Sequence, residues 1–129
     1  MEDLIEEFVN QRVWAVVGAS TDPAKYGNQI FRDLREAGYT VYGVNLGGGE
    51  IEGQKLYPIL ADLPEKPGVV DIVVPPAAAE EIVRQCAQLS LKRVWMQPGS
   101  ESEEAIQFCR EHDIKVVYLT CAMIEKRRW

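Results

Sequence analysis

Apolar residues recur in short blocks separated by longer amphipathic stretches, and the two periods alternate along the chain. VWAVV (13–17) is an unbroken apolar run of strand length, the pattern of a strand buried on both faces. Over residues 28–37, Ile30, Phe31 and Leu34 fall at helical spacing, and Gly38 follows as a C-cap. TVYGV (40–44) predicts a second strand, and GGGEIEGQ (47–54) reads as a flexible connection. VVDIVV (69–74) predicts a third strand, stopped by Pro75-Pro76. Residues 77–89 then place Ile82, Val83, Cys86 and Leu89 on one helical face. RVWMQ (93–97) predicts a fourth strand. Ser100 and Glu103 fit a capping box that opens a helix with Ile106 and Cys109 turned inward. KVVYL (115–119) completes a set of five strands. At the front, MEDLIEEFVN reads as a short amphipathic helix with Leu4, Ile5, Phe8 and Val9 on one side.

Strands alternating with helices predict an α/β fold: a doubly wound parallel sheet of about five strands, Rossmann-like, in a single domain spanning 1–129. Residues 1–10 form its leading helix and 126–129 a basic tail. Composition narrows the function classes. The net charge is −6, with no basic stripe before the terminal KRRW, which disfavours nucleic acid. That tail reads as a solvated terminus. No apolar run approaches membrane-spanning length, and the acidic N-terminus lacks the basic region of a secretory signal, so a cytoplasmic location is expected. Three cysteines, Cys86, Cys109 and Cys121, without CxxC spacing predict neither a disulfide scaffold nor a metal site.

In a doubly wound sheet, ligands bind outside the carboxyl ends of the strands, where the strand order reverses. The residues just after each strand are Gly18-Ala19-Ser20-Thr21, Asn45-Leu46-Gly47, Pro75-Pro76, Gln97-Pro98-Gly99 and Thr120-Cys121. None is a carboxylate. Such an edge offers backbone amides, hydroxyls and side-chain amides, which suit phosphates and carbonyls. It offers no group for proton transfer. The first loop, GASTDPAKYGNQ, departs from the GxGxxG fingerprint, because Gly18 and Gly27 are separated by an excursion holding Pro23, Lys25 and Tyr26. Small residues at 18–20 still admit a phosphate to the backbone, and amides around Gly27 and Asn28 stand at a helix N-terminus. Lys25 adds a point charge. A plain strand-to-helix turn would use the same glycines, so the loop alone leaves both readings open. The second strand ends in Asn45, with neither the acidic residue of an NAD site nor a basic residue of an NADP site.

VVGAS, KYGN, VN after the second strand, VPP after the third, and WMQPG, in this order, resemble the small stand-alone CoA-binding proteins. That family is similar to the N-terminal CoA-binding domain of the succinyl-CoA synthetase α subunit. The resemblance covers roughly residues 10–125. It implies coenzyme A, or an acyl-CoA, bound across these loops by a non-catalytic carrier, sensor or regulatory module. In that reading Gly18, Ala19, Ser20 and Thr21 line the phosphates, with Lys25, Tyr26, Gly27 and Asn28 completing the loop. Asn45 stands near the nucleotide end. Val74, Pro75 and Pro76 flank adenosine or pantetheine, and Gln97 and Gly99 the path toward the thiol. Two departures stand out: Leu46 where the family often has proline, and Thr120 before Cys121 where it often has a basic residue. No phosphorylatable histidine is placed for ligase chemistry, since His112 sits at a helix end beside Asp113 and reads as a surface residue. Cys121 reads as a small core residue. The alternatives are an NAD(P)-binding redox enzyme or sensor and a ligand-free interaction domain. A homodimer or a partner protein is compatible with either, and no stripe in the sequence selects one.

Overall fold

Every strand expected from the apolar blocks is present in the computed structural model, which describes residues 1–129. The elements run α1 (Glu2–Val9), β1 (Val13–Val17), α2 (Tyr26–Glu36), β2 (Thr40–Val44), β3 (Glu50–Ile51), β4 (Gln54–Tyr57), β5 (Val69–Ile72), α3 (Pro76–Gln88), β6 (Arg93–Met96), α4 (Glu103–Glu111), β7 (Lys115–Val117) and α5 (Ala122–Glu125). The sheet holds seven strands rather than five, in the order β3-β4-β2-β1-β5-β6-β7. All neighbours are parallel except β3 and β4. The two extra strands come from the segment expected to be a flexible connection. There Glu52 and Gly53 take positive φ (49° and 79°), the conformation of a two-residue type I′ hairpin turn. β4 then joins β2 through just two residue pairs, Gly43↔Leu56 and Val44↔Tyr57. Leu56 is its one fully buried side chain.

Alternation along the strands divides the core in two. Trp14, Val16, Trp95 and Val117 meet Phe8, Ile30, Phe31, Leu34 and Ala122 from α1, α2 and α5. Ala15, Val17, Val70, Ile72, Val94 and Met96 meet Ala79, Val83, Cys86, Ala105, Ile106 and Cys109 from α3 and α4. Two-sided burial explains why the strands read as apolar runs rather than as an alternating pattern. The cap of α4 differs from the expected Ser100–Glu103 box. Ser102 is the N-cap, and its Oγ accepts from the Ala105 amide at 3.2 Å. Burial of Cys86 and Cys109 pushes both thiols up to about 12, the chemistry of inert core residues.

The basic tail is exposed over 127–129, as expected of a terminus, but it also contacts the fold. Trp129 packs edge-on against Tyr39, with ring centroids 5.7 Å apart, and its amide donates to the Ala37 carbonyl. The Arg12 and Arg127 guanidinium groups lie 4.1 and 4.3 Å from its ring centroid. Lys126 donates to the Met123 carbonyl and stands 2.8 Å from Asp33, a charge contact without hydrogen-bond alignment. Aromatic and cation–π contacts of this kind contribute roughly 0.5–1.5 kcal/mol each. Trp129→Ala is therefore expected to lower Tm by about 7 °C, corresponding to about 2 kcal/mol in a domain of this size. Calorimetric melting of the two proteins tests it, and an unaltered Tm would return the tail to solvent. No helix is long and apolar enough to cross a membrane.

Candidate functional site

β1 pairs with β2 on one side and with β5 on the other, so the strand order reverses at β1. The loops leaving β1 and β5 therefore open a crevice at the carboxyl edge. Gly18 forms its floor with φ +103°, and a Cβ there would stand 2.7 Å from the Val73 carbonyl oxygen. Gly27, in the first turn of α2, presses on the same loop. A Cβ on it would lie 2.0 Å from the Gly18 oxygen. The two glycines let α2 start directly against the strand end, although their spacing is not that of the usual fingerprint.

Two clefts meet over this floor, sharing Gly18 and Val74. One, of about 390 Å³, is mainly apolar: Val17, Val44, Leu46, Ile59 and Ile82 form its walls, with Asn45, Glu81 and Gln85 as its polar side chains. The other, of about 460 Å³, is lined by Ser20, Lys25, Tyr26 and Gly27 on one side and by Pro75, Pro76, Pro98 and Gly99 on the other. The backbone amides of Ser20, Tyr26 and Gly27 donate to nothing within the chain. Three free donors, the N-terminus of α2 and the exposed Lys25 ammonium make this wall a receptor for anionic oxygen.

The other sequence-predicted residues of these loops, and Asn45 on the apolar cleft, have the following partners. Ala19 is wholly buried, and its carbonyl accepts from Asn45 Nδ2 at 2.8 Å. Asn45 also accepts from the Gly47 amide, so both ends of its side chain hold loops together. Asn28 is buried, donates to the Ser20 carbonyl at 2.7 Å and accepts from Arg32 Nε. Thr21 is exposed outside both clefts, with its methyl against Gly49. Gln97 is fully buried beneath the edge and lines neither cleft. Its Nε2 donates to Asp71 at 2.9 Å, and its Oε1 accepts from the Ala122 amide at 3.3 Å.

Sequence reasoning passed over Asp71 as one more residue of an apolar strand. It is fully buried at the centre of the sheet, and its Oδ1 has no hydrogen-bond partner. Desolvation raises its carboxyl to about 8, against a smaller lowering by Gln97. The signal was in the sequence: one acid inside VVDIVV. Tyr26, at the cleft wall, bonds the buried Cys121 (Oη···Sγ 2.8 Å), and burial, that bond and the Asp71 charge raise its phenol. Cys121 is thus buried as expected but is held by a residue of the candidate site. His112 lines neither cleft: it is exposed at the C-cap of α4 and stacked on Phe108, with ring centroids 3.9 Å apart.

Comparison with known proteins agrees with the architecture. The chain is 27% identical to the α subunit of an ADP-forming acetate–CoA ligase II of Pyrococcus furiosus, over 94% of its own length but 29% of that protein's. It is 30% identical to the uncharacterized protein YneT of Bacillus subtilis, over 85% and 82% of the two chains. A hypothetical protein from Pyrococcus horikoshii OT3 has the same fold, with a TM-score of 0.90 and 36% identity over 96% of this chain and 87% of that one. Residues 12–127 match the CoA binding domain family, and with nearly the whole domain matched this chain belongs to it.

Proposed function

We propose that the protein binds coenzyme A, free or acylated, as a non-catalytic module. The observation that supports this best is the junction of the two clefts at Gly18 and Val74. A ligand built as a flat heterocycle, a diphosphate and a long polar arm has one place for each part. In this reading the diphosphate takes the free amides of Ser20, Tyr26 and Gly27 with Lys25. The adenine enters the apolar cleft beyond Asn45, and pantetheine runs between Pro75-Pro76 and Pro98-Gly99. Asn28 and Gln97 line neither cleft and act through the backbone they hold, while Asn45 both holds backbone and borders the apolar cleft. The titratable side chains on the two clefts are Lys25, Tyr26 and Glu81. Lys25 is assigned to the phosphates and Tyr26 is spent on Cys121, which leaves no paired acid and base.

Lys25→Glu tests the assignment. A hydrogen bond to a charged group contributes roughly 1.5–3 kcal/mol, so CoA affinity should fall about tenfold or more. Titration calorimetry of CoA and NAD on parent and variant reads this directly. Equal CoA binding by both proteins removes Lys25 from the phosphate site. Binding of NAD in place of CoA would favour the redox reading instead.

A further inference from the structure

The charges lining the two clefts carry the ligand class one step further. Lys25 is the only cation on either wall, and it stands on the polar cleft beside the free amides. The apolar cleft has no cation at all; its one charged side chain is the carboxylate of Glu81. Coenzyme A carries two separated anionic groups, the diphosphate and the 3′-phosphate on the adenosine ribose. Selection for a phosphate ordinarily takes an arginine fork or a lysine, because charge-assisted hydrogen bonds are the strong ones.

At the adenosine end the polar side chains are Asn45, Glu81 and Gln85. Asn45 is committed to Ala19 and Gly47. Glu81 is a carboxylate with no donor for a phosphate, and Gln85 offers only a neutral amide. The nearby cations line neither cleft and already have partners. Arg84 pairs with Glu81 at 3.0 Å and lines a separate groove with Glu80, Glu103, Glu104 and Glu111. Lys55, on β4, lies over the Tyr57 ring, 5.1 Å from its centroid. The net charge of −6 adds an unfavourable field for every extra negative charge on a ligand.

We propose that the site recognises the ADP–pantetheine portion of the ligand and does not select for the 3′-phosphate, so that 3′-dephospho-CoA is bound at least as well as CoA. The inference rests on the placement of adenosine in the apolar cleft given above. Its chemical meaning is a ligand class defined by diphosphate, adenine and pantetheine, with the 3′-position left in solvent facing Glu81.

Calorimetric titration of CoA and 3′-dephospho-CoA on the intact protein decides it. The two dissociation constants are expected within about threefold of each other near 0.1 M salt. At low salt the balance should move toward dephospho-CoA, where the Debye length is longer and repulsion less screened. CoA bound tenfold tighter than dephospho-CoA would overturn the inference while leaving CoA binding itself established. Binding of neither compound would overturn both. Glu81→Lys, at an exposed position of α3, supplies the missing cation and is expected to shift the ratio about tenfold toward CoA. An unshifted ratio would show that the 3′-position does not face Glu81, and the inference would fall with the geometry.

Discussion

Gly27→Ala is expected to lose CoA binding and to melt about 10 °C below the parent, a loss of about 3 kcal/mol in a domain of this size. Helix propensity alone gives the opposite sign, since alanine is favoured over glycine inside a helix by roughly 1 kcal/mol. Close approach overrides it. The added methyl would sit 2.0 Å from the Gly18 oxygen and 2.8 Å from its carbonyl carbon, and both are backbone atoms that cannot swing aside. Relief requires α2 to withdraw from β1 or the Gly18 turn to open. Either movement also displaces the amides of Ser20, Tyr26 and Gly27, so stability and binding fall together. Scanning calorimetry and ligand titration on the variant check both parts. Parental Tm with parental affinity would mean that the loop yields freely, and the fixed receptor described above would be wrong.

The second large effect is expected from Asp71→Asn, and its sign depends on pH. Burial pushes the folded-state carboxyl up to about 8, against about 3.9 for an aspartate in the unfolded chain. The folded protein therefore holds a proton that the unfolded chain releases, across the window from about pH 4 to pH 8. Stability from this group is intact below pH 4 and declines as pH rises through that window, by up to about 1.4 kcal/mol per pH unit. Asparagine cannot ionise, and its carbonyl keeps an acceptor for Gln97 Nε2. Its amide donor takes the place of the unpartnered Oδ1, an unsatisfied group costing roughly 1–3 kcal/mol at every pH. The variant should be no more stable than the parent at pH 5 and clearly more stable at pH 8, by at least about 2 kcal/mol or 7 °C. Parallel Tm–pH profiles for the two proteins would show that Asp71 ionises normally. A buried acid that weakens the fold as pH rises, bonded to Gln97 beneath the carboxyl edge, is the kind of local conflict that accompanies binding sites.

Much of the fold was legible because it follows from nearest neighbours in sequence. VWAVV gave β1 to the residue, since a strand buried on both faces is apolar throughout, and the β-rich TVYGV gave β2 although Thr40 is exposed and Tyr42 half-buried. Ile30, Phe31 and Leu34 gave the inner face of α2 by their spacing. The β3–β4 hairpin was not legible. QKLY buries one side chain fully and owes its position to two pairs with β2, which no local pattern announces. The α4 cap was misassigned to Ser100 because two serines stand two residues apart with glutamates after each, and only the chain path selects Ser102.

The site divides the same way. The sequence by itself determined the layered α/β fold and the loops at the carboxyl edge. Each of these is fixed by composition and periodicity over a few residues. Tertiary structure alone decided that Asn28 and Gln97 turn inward to hold backbone, while Ser20, Lys25, Tyr26 and Gly27 face one cleft and Asn45 the other. It also decided that Trp129 packs against Tyr39 and that Asp71 lies under the edge with one oxygen, Oδ1, unpartnered. The reason is range. Tyr26 and Cys121 are 95 residues apart and Asp71 and Gln97 are 26 apart, so their meeting depends on sheet order and register rather than on any local preference of the chain.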